Sequence, residues 1–123
     1  MHITSNASLF LIIDDQVRLL PSIYDAEKML HNTEILIQGL KILNVPMVIT
    51  QQYTKGLGMS DSSIYLHTGT EDYLEKRTFS CWKDENIRHY IKTSGCRQVI
   101  LCGIETHICV LQTALDLVHA GYE

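Results

Sequence analysis

The chain has 123 residues, 46% of them hydrophobic and 20% charged, with a formal net charge of −4; this is the composition of one globular domain with a core of its own, not of a disordered, collagenous or coiled-coil chain. Ten Lys and Arg against fourteen Asp and Glu give no basic field for wrapping nucleic acid, and the longest charge-free apolar run, Leu9 to Ile13, is too short to span a bilayer. The start, Met1-His2-Ile3-Thr4-Ser5-Asn6, lacks the basic region of a signal peptide, so a cytoplasmic location is the default expectation.

Ser8 to Ile13 is a continuous apolar run, as expected of a strand covered on both faces of a parallel sheet, and it ends on Asp14-Asp15-Gln16. Asp25 to Asn44 reads as a helix, with Met29, Thr33, Leu36, Leu40 and Leu43 at spacings of three and four and Asp25 near its N-terminus as a cap. Val45 to Thr50 reads as a second strand, with Pro46 near its start, where a missing N–H is tolerated. Gln51 to His67 carries Gly56, Gly58, Ser60, Asp61, Ser62 and Ser63 and reads as a long loop. Asp72 to Lys76 is a short strand, Asp84 to Ser94 a helix stopped by Gly95, and Val99 to Cys102 a buried-type strand. Thr106 to Ala120 is a helix with Ile108, Leu111, Leu115 and Val118 at helical spacing and Gly121 at its end.

This order predicts a single domain over residues 1–123, of class α/β, with a doubly wound, Rossmann-like parallel sheet in a three-layer α/β/α sandwich. Gly121-Tyr122-Glu123 reads as the approach to a further strand. Without one, the sheet is truncated at its C-terminal side and Val99 to Cys102 lies near an open edge. The four cysteines, Cys81, Cys96, Cys102 and Cys109, form no Cys-x-x-Cys pair and are expected as free thiols.

In open α/β sheets ligands bind beyond the carboxyl ends of the strands. Asp14 and Asp15 follow the first strand, Lys76 the third, and Cys109 sits in the first helical turn after the fourth. Taken singly, an Asp after a strand is a loop anchor, a Lys beside a Glu a solvated pair, and a Cys on a helix a small hydrophobe. Together on one rim they are the parts of a cysteine hydrolase: a base, a cation and a thiol whose pKa a helix N-terminus is expected to lower.

Leu11-Ile12-Ile13-Asp14-Asp15-Gln16, Lys76-Arg77-Thr78-Phe79-Ser80 and Gly103-Ile104-Glu105-Thr106-His107-Ile108-Cys109-Val110 resemble, in order and rough spacing, the three signatures of the isochorismatase-like cysteine hydrolases. Thr50-Gln51-Gln52-Tyr53-Thr54-Lys55-Gly56-Leu57-Gly58 is similar to the isochorismatase domain-containing subgroup, with YcaC-type hydrolases as cousins. The resemblance runs from about Leu9 to Glu123 and implies Asp14, not Asp15, as general base, Lys76 as its cationic partner and Cys109 as nucleophile. It also implies a cis peptide between Ile104 and Glu105, with the backbone N–H groups of Glu105 and Cys109 as the oxyanion hole.

Members that split the vinyl ether of isochorismate typically lack the cysteine, so Cys109 tilts the expectation toward C–N hydrolysis of a small molecule through a thioester. Nicotinamidases in the superfamily hold a metal with an Asp-x-His element after the second strand; Gln51-Gln52-Tyr53 stands there in this chain. The six histidines lack paired metal-ligand spacing, so neither metal nor cofactor is expected. Gln16, Tyr53, Phe79 and Trp82 are candidates for the substrate pocket, Gln16 also for orienting loop backbone. Family members commonly form dimers to octamers, so a homo-oligomer is expected. Relatives also continue beyond Gly121-Tyr122-Glu123 through another strand. The competing expectations are a binding or scaffold protein of the same fold and, less favoured on charge, a nucleic-acid enzyme.

Overall fold

The computed structural model describes residues 2–123. Four parallel strands form one sheet in the order β3-β2-β1-β4: β1 Ser8–Ile13, β2 Met47–Gln52, β3 Leu74–Lys76 and β4 Gln98–Gly103. The helices are α1 Ala26–Ile42, α2 Thr54–Leu57, α3 Ser62–Thr68, α4 Glu85–Thr93 and α5 Leu111–His119, the last preceded by a wide π-type turn over Thr106–Val110.

Every residue of β1 is buried, which is why its sequence is apolar without alternation: each face of the strand meets a different core. On one face Phe10, Ile12 and Ile49 pack with Ile37 and Leu40 of α1 and Ile64 of α3. On the other, Leu9, Leu11, Ile13 and Val48 pack with Ile87 and Ile91 of α4 and with Cys109 and Leu117. The result is the α/β/α layering that the element order predicts. Edge strand β4 is half-buried along most of its length. The Glu123 backbone pairs with it, donating to Arg97 O at 2.9 Å and accepting from Val99 N at 2.8 Å.

Four local expectations are corrected. Gln51–His67 is not an unstructured loop: it contains α2 and α3, and Asp61 caps α3 by accepting from Ser63 N at 3.0 Å. The Ser-Asp-Ser-Ser run is therefore a helix start as much as a loop. Asp25 occupies the N-cap position of α1, but its backbone is left-handed and its side chain makes no capping bond. On α1 the buried positions are Thr33, Ile37 and Leu40, with Leu43 57% exposed.

The fourth correction concerns α5. The stripe Leu111, Leu115, Val118 is 48%, 59% and 68% exposed, while Cys109, Thr113 and Leu117 face the core. Both faces of this helix are apolar enough to pass for the inner one. A polar residue settles the matter, because the buried Thr113 hydroxyl accepts the Cys81 N–H at 2.9 Å.

Strand register gathers the site. Ile13 pairs with Thr50 on one side and with Gly103 on the other, and Gln52 pairs with Lys76. Asp14, Gln52, Lys76 and the segment after Gly103 therefore share the carboxyl rim of the sheet. Gly103 is required there, since at its φ of +130° a Cβ would lie 2.0 Å from the Ile13 carbonyl oxygen.

Candidate active site

Asp14 leaves β1 with a φ of 59°, a left-handed turn that Asp tolerates better than most residues. Its side chain is fully buried on the α4–α5 face. Lys76 Nζ donates to Asp14 Oδ2 at 2.8 Å, to Gln52 Oε1 at 2.7 Å and to the Thr78 carbonyl at 3.1 Å. Thr50 Oγ1 donates to Asp14 Oδ1 at 3.2 Å. A lysine and an aspartate this deeply buried (1% and 0% exposed) are tolerable only as a pair with further hydrogen bonds. Burial pushes the Asp14 carboxyl above its ordinary value, and the Lys76 ammonium pulls it back only in part.

Cys109 follows in the π-type turn, buried, with its thiol interacting with both members of the pair. Its pKa is pushed up to about 11, first by burial, with Lys76 lowering and Asp14 raising it. This corrects the expectation from helix position alone: desolvation outweighs the dipole. At neutral pH the thiol is protonated and needs a base. The Ile104–Glu105 peptide is cis, and the Glu105 N–H makes no hydrogen bond among the described residues.

A cavity of about 190 Å³ opens over these groups, lined by Asp14, Gln52, Glu105, Cys109 and the apolar Leu19, Leu57, Phe79, Ile104 and Ile108. A larger hollow of about 460 Å³ lies between α1 and the end of β4, lined by Thr33 and Cys102 among others, and does not include the Asp14–Lys76 pair. Of the four pocket candidates read from the sequence, only Phe79 lines the smaller cavity. Trp82 packs edge-on against Tyr122 at 5.4 Å, and Tyr53 stacks under the Arg77 guanidinium at 4.3 Å. Gln16 is fully buried and spends its amide on backbone. It donates to Gln52 O at 2.9 Å and Gly58 O at 2.7 Å, and accepts from Gln52 N at 2.7 Å. Sequence reasoning missed Gln52, although its register opposite Lys76 follows once the β2–β3 pairing is known.

Asp15 lies elsewhere. It is 1% exposed and neither carboxylate oxygen has a hydrogen-bond partner among the described residues. Burial, then the charges of Asp14 and Asp61, push its pKa from 3.8 to about 7. Between about pH 4 and 7 the folded protein thus holds a proton that the unfolded chain has released, so this residue makes stability fall as pH rises through that window. Asp15→Asn is expected to remove its share of the slope, with a gain at pH 8 about 2 kcal/mol larger than at pH 4. Thermal melts across pH 4–8 check this, and an equal gain at both ends would contradict it.

The fold and this rim together define an α/β domain with a buried acid–lysine pair set against a cysteine. The isochorismatase domain model matches residues 8–123, and the chain belongs to the isochorismatase-like hydrolase family. It is 36% identical over 122 residues to isochorismatase domain-containing protein 1 of Danio rerio, covering 99% of this chain and 43% of that protein. Among solved structures it is similar to the MAR1 ribonuclease of Caenorhabditis elegans (29% identity, TM-score 0.91, 100% of this chain and 63% of that one). It also matches the Escherichia coli YcaC gene product, an octameric hydrolase of unknown specificity (24% identity, TM-score 0.92, 100% and 62%). The chain thus spans between about two fifths and two thirds of the length of these relatives. All four cysteines are free, and no helix among the described residues is long and apolar enough to cross a membrane.

Proposed function

We propose that this rim is the active site of a cysteine amidase acting on a small molecule. The observation that carries the proposal is the buried Lys76–Asp14 pair at 2.8 Å, with the Cys109 thiol against it at the floor of a cavity. Asp14 accepts the thiol proton as Cys109 Sγ attacks the amide carbon, and the oxyanion is met by the N–H groups of Glu105 and Cys109. The raised pKa of Asp14 makes it a better proton acceptor than an ordinary carboxylate. It returns the proton to the leaving nitrogen, and the amine departs to leave a thioester. Asp14 then deprotonates a water, whose oxygen attacks the acyl carbon. The acid is released and the proton returns to sulfur. Lys76 favours the ionised Asp14 carboxylate between proton transfers and holds it in place.

Cavity size and lining favour a small molecule over an RNA chain, despite the name of the MAR1 relative: the lining contains no Lys, Arg or His among the described residues. A homo-oligomer is part of the same proposal, supported by the octameric state of the E. coli YcaC protein.

Thiol labelling tests the mechanism. Asp14 raises the Cys109 pKa, so Asp14→Asn is expected to speed iodoacetamide labelling of Cys109 at pH 8 while suppressing amide turnover. Peptide mapping reads the first and ammonia release the second. If turnover survives Asp14→Asn, Asp14 is not the base.

A further inference from the structure

We propose that Gln52 is the specificity-determining residue of this cavity, donating from Nε2 to a neutral acceptor on the substrate, and that the cavity takes small uncharged amides and rejects carboxylate-bearing ones. The inference rests on the amidase reading for its reacting group but is carried by hydrogen-bond accounting. A lysine ammonium has three donors and no acceptor. Those of Lys76 go to Asp14, Gln52 and Thr78, so none is left for a substrate anion. The Gln52 atom that faces Lys76 must be its carbonyl oxygen, because an ammonium cannot accept a bond from an N–H. That fixes the orientation of the amide.

Nε2 of Gln52 consequently points away from Lys76 and makes no hydrogen bond among the described residues, on a side chain that lines the cavity. The Gln52 backbone is held on both its N–H and its C=O by Gln16, so the donor is presented from a fixed base. The remaining walls are five apolar residues, Cys109, Asp14 and Glu105, and the Glu105 carboxylate is partly exposed beside His107 at 3.8 Å. A carboxylate bound there would lose its hydration, meet the buried Asp14 carboxyl and find no free cation among the lining residues, which costs far more than one neutral hydrogen bond returns. An ether, hydroxyl or keto oxygen meets the unspent Gln52 donor at no such cost, while the Glu105 N–H is kept for the reacting carbonyl. Isochorismate, a dicarboxylate, is on the rejected side.

Three probes of one length separate the possibilities: 3-methoxypropanamide, with a neutral acceptor; pentanamide, with none; and succinamate, with a carboxylate. Their dissociation constants are measured by NMR titration on the Cys109→Ala protein, with and without Gln52→Glu, which keeps the oxygen facing Lys76 and replaces the donor with a second acceptor. On Cys109→Ala alone, 3-methoxypropanamide is expected to bind about tenfold or more tightly than succinamate. Adding Gln52→Glu should weaken 3-methoxypropanamide about tenfold relative to pentanamide. No binding of 3-methoxypropanamide, succinamate binding within threefold of it, or an unchanged ratio in the folded Gln52→Glu protein overturns the proposal. The first two comparisons need no substitution at Gln52. Should the expected selectivity appear while the protein with Cys109 intact hydrolyses none of the uncharged amides, the selectivity stands and the amidase reading falls.

Discussion

Lys76→Met is expected to destabilise the protein by about 3–5 kcal/mol at pH 8, because it leaves the Asp14 carboxylate buried without a counter-charge. Methionine has nearly the length of lysine and fills most of the same space, so the loss reports charge and hydrogen bonding rather than a cavity. It should shrink toward pH 5, where Asp14 can escape by taking up a proton. Adding Asp14→Asn should restore much of the stability at pH 8, since the double variant has neither buried charge. Denaturant melts of the two single variants and the double variant form the cycle. If the losses simply add, the pair at 2.8 Å is not energetically coupled and the site argument loses its base.

Cys109→Ala is expected to lower kcat by about 10⁴-fold or more while leaving the fold intact, as removal of a nucleophile does in other acyl-transfer enzymes. The thiol belongs to the core packed with Leu117 and Ile13, so a modest stability loss of about 1 kcal/mol goes with it. The discriminating readout is the covalent intermediate. With an amide that the intact protein turns over, rapid quench and intact mass should show an acyl adduct mapped to Cys109, absent from the variant. Turnover that survives Cys109→Ala would rule out the thioester route.

The succession of strands and helices, and the placing of Asp14, Lys76 and Cys109 on one rim, were legible in the sequence because each depends on short-range pattern. The apolar run of β1 requires burial on both faces, and Asp14, Lys76 and Cys109 sit where strands or helices begin or end. The inner face of α5 was not legible, because Leu111, Leu115 and Val118 are as apolar as a core stripe and the buried Thr113 earns its place only through a bond to the distant Cys81. Gln52 escaped notice for a similar reason. Its role comes from a lysine 24 residues further on, and a glutamine carries no composition signal. The thiol pKa reversed direction because helix position is local, whereas burial is decided by the whole fold.

Gln16 and Asp14 are two residues apart on the turn that leaves β1, and the polar chain that starts at Gln16 runs through Gln52 and Lys76 back to Asp14. Side chains and backbone of these four residues together close a ring across three strand ends. In such a ring no member can swing out alone: releasing one bond leaves the next group desolvated and unpaired, so the rim opens as one cooperative unit or not at all. The backbone amides of Asp14 and Gln52 should accordingly exchange with solvent deuterium together, at a rate set by unfolding of the sheet rather than by breathing of the loop above it.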